Sequence, residues 1–183
     1  MRKVLAALGV VMLLAVSGCD KPDDAVISLP PVAAPEAPAA SAGGACILWD
    51  WTFIEKKIGV RFSVAASDQV DDTSTCVVQT VSGSWPDLSL SVVEQTKADA
   101  KIFLASRMPE KSVKLKGLGK AGYRLNTAAT GGHGPSVEIG WLSEAEQLQT
   151  LKFTFAKGAS NSAVTQMNTK LLDLAKAMDT TDG

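Results

Sequence analysis

Apolar positions follow three regimes along this chain. Residues 4–16 form one nearly unbroken apolar run, residues 20–45 show no periodicity, and from Cys46 onward apolar positions recur at either helical or strand spacing. Trp51, Ile54 and Ile58 share a helical face, with Asp50 suited to the N-cap and Gly59 to the stop. Val60, Phe62 and Val64 then alternate with Arg61 and Ser63, so the period drops to two and predicts a strand. Residues 76–81 are an apolar, β-branched run. Leu88, Leu90 and Val92 alternate with Asp87, Ser89 and Ser91, and the intervening Ser82-Gly83-Ser84 predicts a hairpin. Residues 96–108 read as a helix with Ala98, Ile102, Ala105 and Met108 inward, ended by Pro109. Val113 and Leu115, then Tyr123 and Leu125, then Val137, Ile139 and Trp141, then Leu151, Phe153 and Phe155 predict four further strands. In the last element, Ser160 or Asn161 caps a helix whose Val164, Met167, Leu171, Leu174 and Met178 form one stripe.

Tight connections between the predicted strands favour antiparallel pairing, and the helical stripes need a sheet face to cover. The expected fold is α+β: a single mostly antiparallel sheet flanked by helices, with an amphipathic C-terminal helix.

The apolar run has a separate meaning. Arg2 and Lys3 precede it and Val16-Ser17-Gly18 follow it, the layout of a secretory signal peptide. Thirteen residues rising ~1.5 Å each reach ~20 Å, too short for a ~30 Å hydrocarbon core. Leu14-Ala15-Val16-Ser17-Gly18-Cys19 resembles the lipobox of bacterial lipoproteins. The resemblance implies cleavage before Cys19, lipidation of its sulfur with diacylglycerol, and acylation of the new N-terminus, for instance with palmitate. It therefore implies a chain anchored at the cell membrane on its extracytoplasmic face. Lipidation of Cys19 leaves Cys46 and Cys76 as a pair, which outside the cytoplasm is expected to form a disulfide.

Composition divides the chain accordingly. Residues 1–18 are the expected signal peptide. Residues 19–45 carry five of the eight prolines and close on Ser41-Ala42-Gly43-Gly44, which reads as a Pro/Ala-rich disordered tether behind the lipidated cysteine. Residues 46–183 are the expected globular domain. Without Arg2 and Lys3, sixteen basic side chains face nineteen acidic ones. No basic stripe interleaved with aromatics is present, which argues against nucleic acid as a partner.

Cys46-Ile47-Leu48, the helix closing at Gly59, Cys76 on a strand, Gly117-Leu118-Gly119-Lys120-Ala121-Gly122-Tyr123 and the terminal amphipathic helix together resemble small actinobacterial cell-envelope lipoproteins whose domain has no assigned function. Many of those carry an aromatic where this chain has Val78 and an acid where it has Lys120. The resemblance implies a location and a fold and no reaction.

Candidate chemistry is sparse. His133 is the single histidine, between glycines in a loop ill suited to holding a general base. Asp68, Asp71 and Asp72 lack the spacing, glycine and distal glutamate of a calcium loop. Gly117, Gly119 and Gly122 spell a GxGxxG, but the alternation at Tyr123-Arg124-Leu125 makes it a turn entering a strand rather than a dinucleotide site. No catalytic, cofactor or metal residue is assigned, and no enzyme activity is expected. Trp51 and Trp141 fall on inward faces, whereas Trp49 and Trp85 stand at element starts and are the candidate binding surface. The expected function is a non-enzymatic interaction module of the cell envelope, contacting another envelope protein or a cell-wall component. The alternative is a carrier or sensor of a small apolar ligand held between sheet and helices.

Overall fold

A computed structural model describes residues 37–94, 97 and 99–179. The expected signal peptide, Cys19 and most of the tether lie outside the described residues. Asp50 opens the first helix as its spacing suggests: its carboxylate accepts the Phe53 N–H at 2.8 Å, and helix α1 (Trp51–Ile58) closes at Gly59 in the left-handed region. Strands β1 (Val64–Val70), β2 (Thr73–Thr80) and β3 (Gly83–Val93) follow as hairpins. A short helix α2 (Ala100–Ile102) runs into a π turn, Phe103–Arg107. Then come β4 (Val113–Leu115), β5 (Ala121–Thr127), β6 (Ser136–Leu142), β7 (Leu148–Thr154) and the long helix α3 (Asn161–Asp179).

The seven strands make one open sheet in the order β1-β2-β3-β7-β6-β5-β4, with every neighbouring pair antiparallel. Two meanders, β1–β3 and β4–β7, are joined by the β3–β7 pairing, in which Leu88, Leu90 and Val92 stand opposite Phe153, Leu151 and Gln149. The α+β expectation is thereby met. No helix among the described residues is long and apolar enough to cross a membrane.

Alternation sends Cys76, Val78, Leu88, Leu90, Val137, Ile139, Trp141, Leu151 and Phe153 to one face, where all are buried. The α3 stripe (Met167, Leu171, Leu174, Met178) and Ile54 and Ile58 of α1 cover that face. Lys170 Nζ of α3 donates to Ile58 O at 3.0 Å, satisfying a carbonyl left open at the end of α1. Among the described residues the opposite face is covered only at one end, where Phe103, Leu104 and Met108 pack on Ala121, Tyr123 and Leu142. Beyond them Thr75, Ser89, Ser91, Thr150 and Lys152 stand half-buried or exposed.

Three segments differ from their sequence reading. The strand expected at residues 60–64 starts at Val64 and runs through Ala65-Ala66-Ser67-Asp68-Gln69, a polar edge strand recruited by the apolar β2. Phe62 is still buried, but from the extended segment before it. The helix expected over residues 96–108 begins later, because Asp99 caps it by accepting the Ile102 N–H at 2.7 Å. Its last turn widens to a Met108 N–H to Phe103 O bond of 3.1 Å, so Phe103 (3% exposed) faces inward and Ile102 (49%) outward. Thr96 and Ala98 lie outside the described residues.

The folded part also reaches upstream of Cys46. Residues Ala39–Ala42 and Gly44–Leu48 form two 3₁₀ turns, linked by Gly43 at φ 74°, and Ala39 and Ala45 are buried. Three bonds hold them: Ser67 Oγ to Ala42 O, Ala45 N to Ser74 Oγ at 2.8 Å, and Trp51 Nε1 to Ala37 O at 2.9 Å. The expected tether thus gives way to ordered chain before residue 45.

Gly140 has a packing role. A Cβ there would overlap the Tyr123 ring, which lies across the glycine on the neighbouring strand. Gly140→Ala is expected to lower unfolding free energy in urea by about 1–3 kcal/mol through overpacking. Paired with Tyr123→Ala, the two changes should be clearly non-additive, whereas simple addition would contradict this contact.

Candidate functional site

Cys46 and Cys76 form a disulfide, with Cα atoms 5.0 Å apart. Cys76 lies mid-strand on the covered face of β2, so the bond fixes the second 3₁₀ turn against the sheet. Within that turn Cys46 N donates to Gly43 O and Trp49 N to Cys46 O, each at 3.0 Å. Three-residue spacing places Cys46 and Trp49 together on the buried side. Ile47 and Leu48 are left outside, 66% and 42% exposed.

Those two aliphatic side chains form a ridge between two shallow grooves. One groove, about 380 Å³, runs from Ile47 and Leu48 to Asp72, Val92, Glu94 and Gln147 at the ends of the β1–β3 meander and β7. The other, about 300 Å³, lies between the same pair and Pro38, Ala39, Asp50 and Trp51. Asp72 and Glu94 are adjacent because the Glu94 N–H donates to Asp72 O at 2.8 Å. Gln147 Nε2 donates to the Glu94 carboxylate at 3.3 Å.

The tryptophans fall out differently from expectation. Trp49, a candidate surface residue, is 2% exposed and contributes no surface, because the turn directs it into the core. Trp141 is fully buried, whereas Trp51 is half-buried with its indole N–H on Ala37 O. Trp85 is half-buried near the start of β3, where its ring meets that of His133 at a tilt of 52°, centroids 4.9 Å apart. The apolar surface that the second 3₁₀ turn exposes therefore comes from Ile47 and Leu48 and not from the Trp49 ring. In sequence these look like core residues flanking a cysteine. Only the period-three burial of Cys46 and Trp49 could have separated them.

A polar cluster occupies the less covered sheet face. Tyr123 Oη donates to Glu138 Oε1 at 2.8 Å. Burial, reinforced by the Glu138 charge, pushes the phenol well above its usual range and keeps it a donor. Asp87 pairs with Thr154 across the β3–β7 ladder. Burial raises its carboxyl above the usual range, with the Thr154 hydroxyl and the Lys152 charge opposing that shift incompletely. Its Oδ1 has no hydrogen-bond partner among the described residues. His133 sits close enough to act on Asp87 electrostatically. Its Nδ1 is 2.6 Å from Gly134 O, and a carbonyl only accepts, so that nitrogen carries the proton. Thr130 Oγ1 lies 3.5 Å from Nε2, too long for a good hydrogen bond.

The glycine-rich turn enters β5 as expected. Gly119, at φ 49°, donates its N–H to Asp179 Oδ2 at 2.9 Å and so ties the end of α3 to the sheet. Asp68, Asp71 and Asp72 surround the β1–β2 turn. Among the described residues no group of three His, Cys, Asp or Glu is placed to hold a metal ion. No protein-family model matches this chain, and neither a curated protein nor a solved structure matches it.

Asp87 is expected to weaken the fold at neutral pH. A carboxyl whose folded pKa is raised stabilises the native state fully below its unfolded pKa, and that contribution is lost as pH rises through the folded value. Asp87→Asn should therefore be more stable than wild type at pH 7, with the gap closing on acidification toward the usual carboxylate range. Urea titrations across that pH range check this, and a variant less stable than wild type at pH 7 would contradict it.

Proposed function

We propose that the chain is a lipid-anchored, extracytoplasmic binding module of the cell envelope, non-enzymatic, which contacts an envelope protein partner through the Ile47–Leu48 ridge. The observation that carries this reading is two neighbouring aliphatic side chains held out in solvent by a turn that is covalently fixed to the sheet. Exposed apolar residues on a fixed turn lose little conformational entropy on binding, which favours affinity. The leader ending in Ser17-Gly18-Cys19 supports the anchor. A disulfide between the two remaining cysteines fits an oxidising compartment outside the cytoplasm. The space between α3 and the sheet is occupied by Trp141, Ile139, Leu171 and Leu174, all fully buried, which favours binding at the surface over a ligand held inside.

Proximity labelling in intact cells tests this with three chains: wild type, Cys19→Ala, and Ile47→Ser/Leu48→Ser. Wild type should fractionate with the membrane and label a reproducible set of envelope proteins. Cys19→Ala should leave the membrane fraction. The ridge variant should stay on the membrane, melt like wild type, and lose the labelled set. A ridge variant that labels the same proteins as wild type would remove the ridge from the reading, and a Cys19→Ala chain that stays on the membrane would remove the anchor.

A further inference from the structure

Resting on the reading of Ile47 and Leu48 as a docking ridge, we infer that the larger groove beside them takes a polypeptide segment of the partner bearing a lysine or arginine next to an aliphatic residue. One wall of the groove is aliphatic, built from Ile47, Leu48 and Val92. Asp72 and Glu94 also line it and are the only ionisable side chains among the described residues that do, so the described lining is acidic. The backbone bond between Glu94 and Asp72 holds these two residues side by side, and Gln147 Nε2 donates to the Glu94 carboxylate.

That pairing of surfaces matches one kind of side chain. Lysine and arginine lay a long apolar stem along an apolar surface while keeping the charged head in water or on a carboxylate. A stem on Ile47, Leu48 and Val92 carries its head toward Asp72 and Glu94. A small free cation gains nothing from the aliphatic wall, and a purely apolar segment leaves two carboxylates desolvated without a partner. The groove, about 380 Å³, lies near the small end of ordinary ligand pockets, which suits one or two side chains of an extended segment.

The test is selection of a random heptapeptide display library on the full-length protein purified from cells, in parallel with its Asp72→Asn/Glu94→Gln variant. Both substituted side chains are exposed and the bond linking the two residues is between backbone atoms, so the variant is expected to melt like wild type. Wild type should enrich peptides with Lys or Arg adjacent to Leu, Ile or Val. A synthetic consensus peptide should bind the variant about fivefold more weakly at low salt, and raising salt to about 0.5 M should erase most of that difference. Enrichment without basic residues, equal affinity for both proteins, or no enrichment at all would overturn the inference. The proximity experiment separates the two ideas. If Ile47→Ser/Leu48→Ser loses the labelled partners while selection yields no basic consensus, the ridge stands and the charge preference falls. If the ridge variant keeps its partners, both fall.

Discussion

A 3₁₀ turn has poorer hydrogen bonds than an α-helix and rarely holds its shape for long by itself. Residues 39–48 make two such turns in succession, and they stay on the sheet because Cys46 is joined to Cys76 in the middle of β2. That one bond decides which neighbours go in and which go out. With Cys46 held at the sheet, Trp49 follows it into the core and Ile47 and Leu48 are left in water. The hydrogen bonds from Ala45 to Ser74 and from Ser67 to Ala42 reinforce the same arrangement without being able to set it. A covalent link closing about 30 residues restricts the unfolded chain by roughly 3.5 kcal/mol on the loop-entropy account, more than several ordinary hydrogen bonds contribute.

The remaining architecture separates stability from presentation. One sheet face is buried under α1, α3 and the turn that carries Cys46, with the α3 stripe packed over β6 and β7. Among the described residues the other face is closed only where Phe103 and Leu104 pack near Tyr123, leaving a polar region of Ser, Thr and a few charges. Asp87, desolvated and incompletely partnered there, is a local cost that the apolar face offsets. The ridge lies on the turn that packs over the β1–β3 end of the covered face, where the incoming chain is fastened.

Period-two alternation made β3, β6 and β7 legible, because their alternate positions Leu88 to Val92, Val137 to Trp141 and Gln149 to Phe153 are all buried and so give a clean pattern. The α3 stripe was legible for the same reason at helical spacing. β1 was not, since Ala65 to Gln69 carries no alternation and is a strand through its pairing with β2 alone. Residues 99–107 misled because a π turn shifts which side chains face inward, a change no 3.6-residue template contains. The disulfide could be inferred by accounting for three cysteines, but the ridge could not. Ile47 and Leu48 are as hydrophobic as any core residue, and their exposure follows from a turn whose geometry the bond imposes. Trp49 shows the converse, a residue chosen for its binding chemistry that packs inside.

The claim that the disulfide shapes this surface is tested most directly by amide hydrogen exchange on the oxidised and reduced protein. The account predicts that reduction speeds exchange at Ala45, Cys46 and Trp49 by at least about tenfold, equivalent to ~1.4 kcal/mol of lost local stability, while Leu90 and Leu151 in the sheet keep their protection. Unchanged protection at those three turn amides after reduction would contradict it.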